Sequence, residues 1–107
     1  MSSEFSQVVS GSWPSGRHRS IGLLGVQPSD IERRSGVAFH PARGEPEGFV
    51  EAGLRLSSGR PLLLIRKPDP SPGIEVWSDS LDTPAEAMAE LMKALKLDAK
   101  DVVWSAE

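Results

Sequence analysis

The chain contains no cysteine and only two histidines, His18 and His40. The first absence excludes disulfides, thiolate metal sites and thiol nucleophiles. A zinc site built on the two histidines would need carboxylates to complete it. Long apolar runs are missing as well. The longest, PLLLI at 61–65, is far too short to cross a bilayer. The opening stretch MSSEFSQVVSGSW has neither a basic n-region nor an apolar h-region, so it does not read as a secretory signal. A soluble, cytoplasmic protein without a membrane partner is the expectation.

Catalytic signatures are equally scarce. There is no G-x-S-x-G, Walker or Rossmann pattern. His40 precedes Pro41 and has no serine or aspartate at a spacing that would make it a general base. The loop SDSLDT brings Ser80, Asp79, Asp82 and Thr83 together, and their oxygens could surround Mg²⁺. The same residues cap a helix and set anions beside its positive end, which that loop needs in any case. No catalytic residue, metal ligand or cofactor is therefore assigned.

What is present is an ordinary globular composition. With 107 residues, 38% hydrophobic and 25% charged, the chain suits one domain with a modest core. Its net charge of −3 is unevenly divided. Residues 1–67 hold nine Lys and Arg against six Asp and Glu, or +3; residues 68–107 hold three against nine, or −6. That acidic segment disfavours nucleic acid and favours a basic protein partner, unless it serves only solubility.

Residues 1–20, with seven serines, read as a flexible arm in which FSQVV can dock as an edge strand; residues 21–107 read as a single α+β domain. SIGLLGV and VAFH are short strand candidates. PSDIERRSG between them reads as a helical turn with Ser29 as N-cap, Glu32 closing a capping box and Gly36 as the stop. In FVEAGLRL the residues Val50, Ala52, Leu54 and Leu56 alternate with Glu51, Gly53 and Arg55, as a half-buried strand requires. With SSGR as a four-residue turn, PLLLIRK returns so that Leu54 faces Leu63 and Glu51 faces Arg66. IEVWSD makes a third antiparallel strand. The best-specified element is TPAEAMAELMKALKL, with Thr83 as N-cap, Pro84 at the first helical position and Met88, Leu91, Met92 and Leu95 forming one apolar stripe. DVVWS supplies a last strand. The fold class expected is thus a mostly antiparallel β-meander with one C-terminal amphipathic helix on one face and a final C-terminal strand.

IGLLGVQPSDIERRSGVAF resembles the core of a KH RNA-binding module over under a fifth of the chain: Gly22 and Gly25 stand as a G-x-x-G loop, and Gly36 and Val37 open the next strand. The resemblance implies a loop at 22–25 that clamps a nucleic-acid backbone, although Leu23 and Leu24 occupy the places usually polar or basic there. SDIERRSGVAF cannot open a helix-turn-helix, because HPARGEP follows where a recognition helix is needed. RHR at 17–19, near Trp13, could touch phosphates from a flexible arm, or merely solubilise it.

One tripeptide occurs twice, as Val76-Trp77-Ser78 and Val103-Trp104-Ser105, on either side of the helix. If both strands join one sheet, the helix makes them a parallel crossover pair. Strand alternation then puts Ile74 and Val76 under the helix, and Trp77 on the other face beside Glu75 and Asp79. Trp104 falls on that same face by the same phasing. The expected function is a small acidic, non-catalytic protein-binding module: a regulator, inhibitor or immunity- or antitoxin-like partner. Its surface would use Trp77, Trp104, Glu75, Asp79 and Asp82, to bind a basic protein or a second copy in a homodimer. Two other readings stay open: a small-ligand or enzyme pocket at the 40–48 loop using Arg43 and Glu45, and KH-like nucleic-acid binding at 21–39.

Overall fold

The computed structural model of the chain describes residues 5–8, 19–41, 47–68, 73–78 and 84–105. They form the strands β1 (Phe5–Val8), β2 (Arg19–Leu24), β3 (His40–Pro41), β4 (Val50–Leu56), β5 (Pro61–Arg66), β6 (Ile74–Ser78) and β7 (Val102–Ser105). Two α-helices accompany them, α1 (Pro28–Ser35) and α2 (Pro84–Leu95). The α+β architecture expected from the pattern is the one found. The strands make one antiparallel sheet in the order β1-β4-β5-β6-β2-β7, with β3 pairing β4 beside β1. Within the serine-rich stretch, Phe5–Val8 pairs with β4, and Arg19 and Ser20 already belong to β2.

The meander β4-β5-β6 forms as the alternation predicts, but its register is one residue away from the expectation. Leu54 pairs with Leu62, Glu51 with Ile65 and Val50 with Arg66. The cause is the turn. Leu56 N–H donates to the Arg60 carbonyl at 2.9 Å and Gly59 N–H to the Leu56 carbonyl at 2.8 Å, leaving three loop residues rather than four. Gly59 takes φ +94°, the left-handed conformation that such a three-residue hairpin places on glycine. Shifting the register by one changes which residues pair across the hairpin, and Leu62 and Leu64 join Ala52 and Leu54 on the core side.

Helix α2 packs across β2, β4 and β7 and against α1. Its buried side is Pro84, Ala87, Met88, Leu91, Ala94 and Leu95, with Met92 half-buried at the margin. Beneath it lie Ile21, Leu24, Leu54, Leu62, Leu64, Ile74 and Val76, all without solvent exposure. Fully burying one such leucine is worth about 2 kcal/mol, so this layer dominates the stability. The polar side of α2 has a task of its own. Glu90 accepts hydrogen bonds from Ser58 N–H at 3.2 Å and Ser58 Oγ at 2.7 Å and lies 3.4 Å from Arg60, while Glu86 meets Arg60 at 3.1 Å. The helix thereby holds the β4–β5 hairpin tip.

The capping of α1 also departs from expectation. Its N-cap is Gln27 rather than Ser29, and Asp30 rather than Glu32 reaches back, accepting the Gln27 N–H at 3.0 Å. Proline at the first helical position explains the difference, since Pro28 has no N–H to leave unsatisfied there. Gly36 ends the helix as expected. Beyond it, Ala38 is fixed to the edge strand β1 by the Gln7 side-chain amide, which donates to its carbonyl and accepts its N–H.

Candidate functional site

The face of the sheet opposite α2 follows from register, because directly paired residues of antiparallel strands point to the same side. One row runs Gly53, Leu63, Trp77 and Ser20 across β4, β5, β6 and β2. The next runs Glu51, Ile65, Glu75, Leu23 and Trp104, ending on β7. Trp77 and Trp104 therefore share this face, and Ile74 and Val76 lie under the helices. Strands β6 and β7 are parallel to each other, as both pair antiparallel with β2. They are not neighbours, however: β2 is inserted between them, which no pattern in the sequence announces.

That insertion separates the two indoles. They lie two strands and one residue pair apart, about 12 Å between backbones, too far for the rings to stack. Leu23 fills the space between them and is only 8% exposed, although it faces away from α2. The signal for it was present in the sequence: Leu23 and Leu24 are consecutive apolar residues, as expected of a strand covered on both sides.

The two tryptophans differ in environment. Trp77 is half-buried beside Leu63, and its indole Nε1 is buried without a hydrogen-bond partner. Trp104 is 45% exposed and Val103 59%; among the described residues these are the two large apolar side chains that are exposed. Both stand on β7, which a one-residue bulge displaces. Leu23 pairs with Trp104 and Leu24 with Val102, leaving Val103 as the extra residue. Glu75 is bridged to Lys67 at 3.3 Å and its side chain is 23% exposed, so its charge is already compensated.

The root of β7 is pinned. Asp101, itself buried, accepts the Asp98 N–H at 2.9 Å and meets Arg34 of α1 at 3.0 Å. The Asp98 N–H, helped by the Arg34 guanidinium, holds the Asp101 carboxyl below the usual aspartate value, against the opposing effect of desolvation. Gly25 N–H adds a bond to the Asp101 carbonyl at 2.7 Å. Sequence reasoning assigned no role to Arg34 or Asp101; they are 67 residues apart and only the fold joins them.

Other candidates fare differently. Asp79 and Asp82 lie outside the described residues, as do Ser80, Thr83, Arg43, Glu45, Trp13, Arg17 and His18. His40 is exposed in β3 opposite Glu51. Among the described residues, no three His, Asp or Glu side chains gather where they could hold a metal ion. The KH-like reading of 21–39 needs correction. Gly22, Leu23 and Leu24 are strand residues of β2, paired on both sides and covered, not a loop that could clamp a backbone. Glycine is used at position 22 because Met88 of α2 lies directly over it. No helix of the described residues is long and apolar enough to cross a membrane. Comparison with protein-family models, with curated proteins and with solved structures gives no match for this chain.

Proposed function

We propose that the chain is a small, acidic, non-catalytic protein-binding module, acting as a regulator, inhibitor or neutralising partner of another protein. The observation that carries this reading is the pair Val103 and Trp104, exposed on a terminal strand beside the buried Leu23. Exposed tryptophan flanked by covered apolar side chains is the composition of an interface centre. The −6 balance of residues 68–107 supports a basic partner, whose approach it would steer.

The test is site-directed photocross-linking in the native cell, with a photoreactive residue at position 104 and, as control, at Lys93 on α2. A discrete protein adduct at 104 and none at 93 is the expected result, and its yield should fall as ionic strength rises during lysis. Equal labelling at the two positions would remove the interface reading. Adducts to RNA at 104 would transfer the surface to nucleic acid.

A further inference from the structure

Two pairs of parallel strands are joined across this sheet. β6 connects to β7 through α2; β1 and β2 are the other pair, parallel by the successive antiparallel pairings through β4, β5 and β6. Val8 stands at one end of the row Gly53, Leu63, Trp77 and Ser20, and the chain re-enters the sheet at Arg19, next to the far end of that row. The ends to be joined are separated by the width of β4, β5 and β6, about 19 Å. Residues 9–18, which lie outside the described residues, join them, and that length of chain reaches at most about 40 Å. A path round the ends of β4, β5 and β6 would use all of this reach, because it must also run past the strand ends and back. The chain therefore crosses one face.

Handedness selects the face. β1 and β2 run opposite to β6 and β7, while both connections travel the same way along the sheet. Reversing the strands without reversing the travel moves a crossover of given hand to the other face. Parallel crossovers are right-handed in about 98% of cases, so the connection through 9–18 belongs opposite α2. The α2 face is in any case filled: Leu54, Leu62, Leu64 and Val76 have no exposure beneath the helices. On the opposite face Leu63, Ile65 and Trp77 are half-buried, Leu23 is nearly covered and Trp77 Nε1 is buried. Yet α1 packs with α2, and among the described residues no helix lies on this side.

We propose that residues 9–18 dock across the sheet face opposite α2, with Trp13, midway along the segment, over Leu63 and Trp77. The apolar side chains of the segment, Val9, Trp13 and Pro14, then meet an apolar row, and its serines and glycines are small enough to let it lie close. Trp77 thereby belongs to a second, internal core, and Val103 and Trp104 are left to a partner. The inference does not depend on the binding-module reading.

The absence of cysteine makes the test direct. Trp13→Cys combined with Leu63→Cys, treated with a short thiol-to-thiol cross-linker, should give an intramolecular link in the monomer, read by peptide mass. Trp13→Cys with Ala89→Cys, exposed on α2, should give none. A link to position 89, or to neither position, overturns the proposal. A second measurement uses a chain whose only indole is Trp77, made by Trp13→Phe and Trp104→Phe. Replacing its residues 9–18 by a glycine–serine segment of equal length should raise acrylamide quenching severalfold and shift the emission to the red. Unchanged quenching in a chain that thermal melting shows to be folded also overturns the proposal. If the replacement does not fold, the cysteine pairs decide. The binding-module reading fails separately, by the absence of a discrete adduct at position 104.

Discussion

Arg34 of α1 and Asp101 at the root of β7 meet at 3.0 Å, and this ion pair joins the N-terminal helix to the last strand of the sheet. Because the Asp101 carboxyl is held below its ordinary value, its contribution to stability is complete above the usual aspartate range, near pH 4. It is lost as pH falls through the lowered folded-state value. Asp30, lowered chiefly by the Gln27 N–H, adds to the same acid limb. Urea melts of Asp101→Asn should show lower stability than the parent at pH 7. The gap should close well below pH 4, where both chains carry a neutral side chain at 101. An unchanged gap at low pH would assign the loss to geometry rather than charge.

The β4–β5 register makes a paired prediction. Leu64 is fully buried under the helices and Leu63 half-buried on the other face. Leu64→Ala should cost about 2–5 kcal/mol and Leu63→Ala about 1 kcal/mol, read from denaturant midpoints. The four-residue turn first expected would pair Leu54 with Leu63 and so reverse the order.

Two glycines separate conformational cost from steric cost. Gly59 has φ +94° with open space where a Cβ would stand, so Gly59→Ala should lose about 1 kcal/mol. Gly73 has φ +151°, and a Cβ there would lie 1.9 Å from the Leu24 carbonyl oxygen. Gly73→Ala should therefore lose about 3 kcal/mol or more, since backbone of a central strand must move. Equal midpoint shifts would contradict the close approach of the two segments.

At the hairpin tip, Glu90 and Glu86 both reach Arg60 but are not equivalent. The Glu90 side chain is 23% exposed and also holds Ser58; that of Glu86 is 70% exposed. Glu90→Ala should cost about 1–2 kcal/mol and Glu86→Ala under about 0.5 kcal/mol. Hydrogen exchange at the Ser58 amide should accelerate in the first variant alone.

Quenching distinguishes the tryptophans. In variants keeping one indole each, acrylamide should quench Trp104 efficiently and Trp77 weakly, with Trp77 emitting further to the blue. Trp77→Phe should cost less than its buried area suggests, about 1 kcal/mol, because it also removes an N–H that is buried without an acceptor. Equal quenching of the two indoles would contradict their different burial.

Local chemistry explains what was legible beforehand. Helix α2 carries proline at its start and a stripe at helical spacing, and β4 alternates strictly, so both could be read directly. Strand parity does place Trp77 and Trp104 on one face. It would also set Val102 beside Trp104 and Val103 toward the helix, whereas the bulge turns Val102 to the core side and leaves Val103 exposed. The register of β5 could not be read, because it turns on whether Arg60 ends the loop or begins the pairing, and Gly59 decides that through one torsion angle. The place of β2 between β6 and β7 was also hidden. It depends on contacts between residues some 50 to 80 positions apart, for which no short pattern exists. The surroundings of Trp104 were invisible for the same reason, since Leu23 reaches it only through that insertion.

The insertion of β2 also bears on how the molecule is made. A strand from the first quarter of the sequence must wait, unpaired on one flank, until residues 102–105 have left the ribosome. Meander and helix can collapse earlier, but the sheet closes only when its most distant segments meet, and long loop closure slows such steps. During that interval the flank of β2 that β7 will occupy, beside Leu23, is unpaired. The nascent chain is therefore most exposed to aggregation and proteolysis just before its last strand arrives.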